Sequence, residues 1–164
     1  MNRIQSILLI LLLGGGCACR PIGGESDKED WHVLLQKADS CSRHKQEEQA
    51  ILHYFEWLEQ SEGKVSSLTR SDVYDKIGTI YLYRYLFLDA IDMFRRSADL
   101  YLEVGERKEE ALAWRNIGRA NLMRHRSDSI IPFYQRAIGV AEEAGEQQLL
   151  KEIQQEFQFV CSKT

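Results

Sequence analysis

Apolar residues recur at helical spacing along most of the chain. Between residues 50 and 58 they fall mostly three or four positions apart, at Ala50, Ile51, Tyr54, Trp57 and Leu58. The spacing returns about forty and eighty residues later, at Ile91, Phe94 and Ala98 and at Ile131, Tyr134, Ile138 and Ala141. Such spacing places apolar side chains on one face of a helix. The pattern predicts seven amphipathic helices, over about residues 27–43, 46–61, 69–84, 88–104, 107–123, 128–144 and 147–162.

Individual residues predict where several of these helices begin and end. Ser26, followed by Glu29, forms a capping box that predicts the start of the first helix. Pro132 is expected in the first turn of the sixth helix, with Asp128 or Ser129 as its N-cap, because the first turn leaves backbone N–H groups unpaired anyway. Three glycines suit helix C-caps, since glycine adopts the left-handed backbone conformation freely. These glycines are Gly63, Gly105 and Gly145.

The first sixteen residues differ from the rest of the chain because they carry almost no charge. Arg3 precedes an apolar run over residues 7–13, which is far shorter than the about 20 residues needed to span a bilayer. Three glycines at 14–16 follow, and then Cys17. A charged start, a short apolar run and small residues after it predict a secretory signal peptide over residues 1–16.

The sequence from Leu13 to Cys17 resembles the lipobox of bacterial lipoproteins, in which the cysteine is acylated and the chain is cut just before it. That family prefers Leu, Val or Ile at the place that Gly14 holds here. The resemblance implies lipidation at Cys17. The alternatives are lipidation at Cys19, an ordinary signal peptide cut after Ala18, and an uncleaved anchor.

Lipidation would tether the chain to the cell envelope. A lipobox cysteine carries several acyl chains in the resembled family, and two or more chains hold a protein stably on a membrane. Ala18 is not the aspartate that marks inner-membrane retention in some bacteria, which favours the outer membrane. Residues 17–26 form a flexible tether that reaches about 30 Å when fully extended. The folded part, residues 27–162, is therefore expected close to the membrane surface.

The chain after the tether contains an internal repeat. Three segments that start at Trp31, Ser71 and Ala111, and so lie forty positions apart, carry similar residues at several shared positions. The matched sets are Leu34, Tyr74 and Trp114; Ala50, Ala90 and Ile130; and Tyr54, Phe94 and Tyr134. Gly78 and Gly118 share the eighth position inside first helices, where glycine costs about 1 kcal/mol relative to alanine. This cost is expected where the second helix of a pair packs too closely for a Cβ atom.

This pattern resembles the tetratricopeptide repeat, in which a large residue, Leu-Gly and Tyr are followed by Ala, an aromatic residue and Ala. The resemblance covers residues 31–161, and the second and third copies match it better than the first. It implies an all-α fold, a right-handed α-solenoid of about three helix pairs plus a C-terminal capping helix. A plain helical bundle is the alternative.

Composition and motifs exclude several classes of function. The 164 residues carry a formal net charge of −4, so no basic surface for nucleic acid is expected. The sequence contains no His-Glu-x-x-His, Gly-x-Ser-x-Gly or phosphate-binding loop. We therefore expect no catalytic residues, no metal site, no cofactor and no small-molecule substrate. Cys41 and Cys161 are expected to be small buried residues about 30 Å apart, beyond disulfide reach.

In the resembled fold, the first helices of the pairs line a groove that binds a peptide. The groove residues implied here are Asp39, Asp75, Thr79, Tyr83, Arg115, Asn116 and Arg119. Arg115 can hold a carboxylate bidentately, Tyr83 offers an amphipathic anchor, and Asn116 can hydrogen-bond a peptide backbone. Chaperone-binding members need Lys and Asn at the places that Asp75 and Thr79 hold, so chaperone binding is not implied. The alternative for these charges is a solvated face with local ion pairs, such as Asp75 with Arg115.

The predicted function is therefore a membrane-tethered scaffold that binds a peptide or protein partner at the cell envelope. Its repeats are similar to those of outer-membrane lipoproteins. They also resemble the repeats that head two-component-like regulators of gut Bacteroidetes, although a transmembrane helix and an output domain do not follow before Thr164. The alternative function is thus an accessory sensor or regulatory component of an envelope signalling system.

Overall fold

The computed structural model describes residues 30–124 and 130–162. Within these ranges the chain forms seven helices and no strand. The helices are α1 (Trp31–Arg43), α2 (Glu47–Gln60), α3 (Ser67–Tyr83), α4 (Phe87–Val104), α5 (Arg107–Met123), α6 (Ile131–Glu143) and α7 (Gln147–Cys161).

The helices form antiparallel pairs that repeat along the chain. α1 pairs with α2, α3 with α4, and α5 with α6, while α7 packs on α6 at the end. The starts of α3, α5 and α7, at Ser67, Arg107 and Gln147, follow one another at intervals of forty positions. The architecture is an all-α helical-repeat solenoid, as the sequence predicts.

The apolar interior is divided between two clusters of buried residues. One cluster joins α1, α2 and α3 around Trp57 and Ile77, with Met93 contributed by α4. The other cluster joins α4 to α7 around Phe94, Ile117 and Ile153. This division is typical of a solenoid, in which each repeat packs only against its neighbours.

The two glycines inside first helices lie where the sequence predicts close packing. A Cβ atom on Gly78 would come within 2.9 Å of the Phe94 ring, and one on Gly118 within 2.8 Å of the Tyr134 ring. These aromatic residues share the same position in successive repeats and are fully buried. The glycines therefore let the second helix of each pair approach the first.

α1 starts later than the sequence predicts. It begins at Trp31, four residues after the predicted start, and the Asp30 carboxylate accepts a hydrogen bond from the His32 backbone N–H. Asp30 is thus the N-cap of the described helix, because its carboxylate can reach an N–H group of the first turn. The predicted capping box of Ser26 and Glu29 lies outside the described residues.

The described part of α6 begins at Ile131, and Ile130 stands at its N-cap position. The predicted N-cap residues, Asp128 and Ser129, lie outside the described residues. Ile130 is buried in the larger apolar cluster. Pro132 lies in the first turn, as predicted.

The turns after second helices contain the predicted glycines. Gly105 is the C-cap of α4 with φ of +80°, and Gly63 and Gly145 also have positive φ. Cys161, by contrast, does not fit the prediction of a buried residue, because it is exposed at the end of α7. Cys41 is half-buried. Among residues 30–124 and 130–162, no helix is both long enough and apolar enough to span a bilayer.

Candidate functional site

The predicted groove residues lie on the first helices of the repeats, and most follow one another along a helix face. On α3, Asp75, Thr79 and Leu82 are three or four positions apart, which places them on neighbouring turns of one face. The equivalent residues of α5, forty positions later, are Arg115, Arg119 and Leu122.

Asp39, at the first-repeat end of this surface, binds the neighbouring repeat. Its Oδ1 accepts hydrogen bonds from Lys76 Nζ of α3 at 2.7 Å and from the Tyr54 hydroxyl of α2 at 2.6 Å. Burial raises the pKa of the Asp39 carboxyl, but these two hydrogen bonds outweigh it and hold the pKa below its ordinary value. Asp39 is therefore already engaged within the protein.

Arg119, at the other end, is engaged in the same way. Its Nε and a terminal nitrogen donate to the two carboxylate oxygens of Glu156 on α7, at 2.5 and 2.7 Å. The Tyr134 hydroxyl donates to the same carboxylate at 2.6 Å. Burial raises the pKa of Glu156, yet these hydrogen bonds outweigh it and lower the pKa. A bidentate pair of this kind fixes α7 against α5.

These two inter-repeat bridges, Asp39–Lys76 and Arg119–Glu156, occupy equivalent positions in the repeat. Each joins the ninth residue of one copy to the sixth residue of the next, with the signs of the charges reversed. The corresponding residues of the middle repeats are Thr79 and Asn116, which carry no charge. The centre of the surface is thus the place where the predicted polar residues are not committed to a charged bridge.

A pocket of about 200 Å³ lies at this centre, between α3, α4 and α5. We call it the central pocket. Its lining residues are Asp75, Tyr101, Glu109, Leu112, Arg115 and Asn116. The structure therefore brings together three of the predicted groove residues, Asp75, Arg115 and Asn116. Tyr83 lies outside this pocket, two turns further along α3, with 75% of its surface exposed.

The central pocket holds charged groups in a partly buried place. Burial raises the pKa of the Asp75 carboxyl to about 6, and the nearby charge of Asp72 adds to the rise. A hydrogen bond from Asn116 and the charge of Arg115 act in the opposite direction. The Tyr101 hydroxyl donates to Asp72 Oδ1 at 2.7 Å, so Asp72 is held beside the pocket.

Arg115 is the least satisfied polar group of the pocket. Its Nε is buried and has no hydrogen-bond partner in the described part of the chain. Burial lowers the pKa of the guanidinium, as does the neighbouring Arg119, while Glu156 and Glu152 oppose this effect. A buried N–H donor without an acceptor costs about 1–3 kcal/mol. A bound acceptor would remove this cost.

Several residues of this surface were not predicted from the sequence. Tyr101 belongs to the second helix of its pair, and Glu109 lies six residues before Arg115, nearly two turns earlier on α5. Glu156 could have been predicted from the sequence, because it stands forty residues after Asn116 and continues the repeat register into α7. The predicted lipidation residue, Cys17, lies outside the described residues.

The described residues contain no cluster of His, Cys, Asp and Glu side chains that could hold a metal ion. The central pocket instead combines hydrogen-bond donors and acceptors of both charges with the apolar side chain of Leu112. This combination suits recognition of a ligand by hydrogen bonds and ion pairs.

Comparison with known proteins identifies the fold. No family model and no curated protein sequence matches the chain. Among solved structures, the N-terminal domain of stress-induced protein-1 (STI-1) from C. elegans is similar, with a TM-score of 0.61 and 14% identity over 77% of this chain and 96% of that domain. The fold is of the tetratricopeptide-repeat type.

A second tetratricopeptide-type structure covers almost the whole chain. It is the Rap conjugation gene regulator of the plasmid pLS20 in complex with the Phr* peptide, with a TM-score of 0.67 and 15% identity. The alignment covers 99% of this chain and 49% of the regulator, so the chain spans about half of that protein's length. At these identities the likeness establishes the shared fold.

Proposed function

We propose that this protein is a binding scaffold, rather than an enzyme, and that it holds a peptide segment of its partner in the central pocket. The observation that supports this proposal is the buried Nε of Arg115, which has no hydrogen-bond partner in the described part of the chain. Among the other charged residues predicted for the groove, Asp39 and Arg119 form ion pairs within the protein, and Asp75 lies in the same pocket as Arg115. The Rap regulator, which has the same fold, was solved with a peptide bound.

The chemistry of the pocket matches that of a peptide main chain. Arg115 and the Asn116 amide offer N–H donors to a carbonyl oxygen, and the Asp75 carboxylate offers an acceptor to a backbone N–H. Leu112 supplies an apolar contact at the wall. Because these groups are half-buried, hydrogen bonds formed with them are less exposed to competition from water than those at an open surface.

Replacing Arg115 by alanine should weaken peptide binding by about tenfold to a hundredfold, which corresponds to about 1.4–2.8 kcal/mol. The substitution removes the N–H donors and adds no negative charge beside Asp75 and Glu109. The probe is a labelled peptide from the most enriched sequence of a random dodecapeptide library selected on the full chain, and its dissociation constant is measured by fluorescence polarisation.

The matched control is Arg95→Ala, which removes the same side chain from an exposed position of α4. It should leave the dissociation constant within a factor of two. Equal affinity of the Arg115→Ala variant and the unmodified chain would contradict the groove assignment. Arg119 is unsuitable for this test, because its replacement breaks the bridge to Glu156 and disturbs the packing of α7.

We further propose that the scaffold is tethered to a bacterial membrane, in the outer membrane on either of its faces, through a lipid on Cys17. The proposal is supported by the apolar run, the glycines and the cysteine at the start of the chain. A Cys17→Ser variant should move from the membrane pellet to the soluble fraction and lose incorporation of labelled palmitate.

Cys19→Ser is the control for this experiment, because the second cysteine stands two residues away. It should keep both the lipid label and the membrane association. Membrane pelleting and labelling that survive in Cys17→Ser, and disappear in Cys19→Ser, would assign the lipid to the other cysteine.

A second candidate function is a regulatory component of an envelope signalling system. It is favoured by the similar fold of the Rap protein, which is a gene regulator. Deletion of the gene would distinguish the two functions. A regulator is expected to alter transcript levels while the complexes of the envelope stay intact, whereas loss of a scaffold should dissociate a complex first.

A further inference from the structure

The charges around the central pocket indicate the sign of its ligand. Asp75 and Glu109 line the pocket, and Asp72 stands beside it on α3. Arg115 is the one basic lining residue, and Glu152 of α7 places a further negative charge near it. The other nearby basic groups already have partners, since Lys76 binds Asp39 and Arg119 binds Glu156. The pocket therefore carries an excess of negative charge.

A ligand carboxylate would add another negative charge to this group of acids. Like charges that share a site disfavour one another. A ligand cation would instead face Asp75 and Glu109. The Arg115 Nε and the second N–H of the Asn116 amide, whose first N–H donates to Asp75, can then donate hydrogen bonds to a carbonyl oxygen. The charge complementarity favours a basic side chain on the partner.

A second contact surface lies two helical turns from the pocket. Leu82 and Leu122 are half-buried on α3 and α5, and the adjacent Tyr83 and Met123 are 75% and 42% exposed. Seven to eight residues of helix separate Asp75 from Leu82 and Tyr83, which is about 10–12 Å at 1.5 Å per residue. An extended peptide covers that distance in about three to four residues.

We propose, on the basis of the function inferred above, that the central pocket takes the side chain of a lysine or arginine of the partner peptide. Asp75 and Glu109 are its counter-ions. Arg115 and Asn116 bind the adjoining main chain. An apolar residue of the same peptide, three or four positions away, packs against Tyr83 and Met123. The ligand class is thus a basic–apolar peptide motif of defined spacing.

The test is a selection of random dodecapeptides displayed on phage, carried out on the full chain and on an Asp75→Asn/Glu109→Gln variant. Both substitutions keep the size of the side chain and remove its charge. The unmodified chain should enrich peptides with a lysine or arginine three or four positions from an apolar residue. The variant should lose the enrichment of the basic residue and keep that of the apolar residue.

An Asp99→Asn/Glu103→Gln variant provides the matched control, because it removes the same two charges from exposed positions of α4. It should select the same motif as the unmodified chain. A peptide-side substitution gives a second measurement that does not depend on the folding of a variant. Lysine or arginine replaced by glutamine in a selected peptide should cost about tenfold in affinity for the unmodified chain, and less than twofold for the Asp75→Asn/Glu109→Gln variant.

The possible outcomes separate this inference from the function on which it rests. Enriched peptides without a basic residue, or with an acidic one, would overturn the inference but leave peptide binding in the groove intact, provided that Arg115→Ala still weakens their binding. No enrichment on the unmodified chain would overturn both. Replacing the basic residue of the peptide could also lower its affinity equally for the unmodified chain and for the Asp75→Asn/Glu109→Gln variant. That result would place the basic residue of the peptide outside the pocket.

Discussion

Replacing Tyr134 by alanine should lower the free energy of unfolding by about 3–5 kcal/mol, the range found for removal of large buried aromatic side chains. Tyr134 has no exposed surface. Its ring lies against Gly118 of α5 and stacks on Phe157 of α7, with 5.5 Å between ring centroids. Its removal leaves a cavity between three helices, and it also deprives Glu156 of a hydrogen-bond donor.

Two companion variants separate the ring from its hydroxyl and from general effects of losing a tyrosine. Tyr134→Phe keeps the ring and loses the hydrogen bond to the Glu156 carboxylate, which should cost about 1.5–3 kcal/mol. Tyr83→Ala removes an exposed side chain and should change stability by less than about 0.5 kcal/mol. Urea denaturation at neutral pH measures all three. A cost below about 1 kcal/mol for Tyr134→Ala would contradict the packing described for α5, α6 and α7.

The equivalence of Tyr134 and Phe94 explains why so much of the fold is predictable from the sequence. Each ring faces a glycine at the same position of its own repeat, and the pair forms a strong local constraint on how two helices meet. Periodic apolar positions then determine which face of each helix is buried. The interval between equivalent helices and the presence of all seven helices follow from these patterns.

Helix starts were less predictable, because more than one residue near a helix end can serve as an N-cap. At α1, Asp30 has the same capping chemistry as Ser26, and the helix of the described chain uses Asp30. The energy at stake is small, since a good N-cap is worth only about 1 kcal/mol.

The candidate site was predicted in part. The repeat register brings Asp75, Arg115 and Asn116 into one pocket, because equivalent turns of adjacent helices lie side by side. It did not reveal that Asp39 and Arg119 are engaged in bridges. Their partners stand 37 residues away in the next repeat, and the charges at these positions reverse from one end of the chain to the other. Such pairs leave no local pattern in a single sequence.

The charge of Asp75 in the central pocket has a measurable consequence for the stability of the fold. Replacing Asp75 by asparagine should raise the free energy of unfolding at pH 8 by about 2–3 kcal/mol, since burial raises the pKa of its carboxyl from 3.8 to about 6 and each pH unit of difference corresponds to about 1.4 kcal/mol. The folded chain holds this proton more tightly than the unfolded chain. Above about pH 6 the charged carboxylate therefore opposes folding, and below about pH 4 both states are protonated and the penalty is absent. The stabilisation by asparagine should disappear over that interval.

Urea denaturation of the variant and the unmodified chain at several pH values between 3.5 and 8 measures this difference. Asp99→Asn, at an exposed position of α4, should change stability by less than about 0.5 kcal/mol throughout. A loss of stability in Asp75→Asn at pH 8 would show that the carboxylate supports the fold. The expected result is that Asp75→Asn is more stable than the unmodified chain at pH 8 and binds basic peptides more weakly. That result would show that the carboxylate opposes folding and supports binding. A charge that destabilises the folded chain and strengthens binding is retained for its ligand, and this combination is the trade-off expected of a functional site.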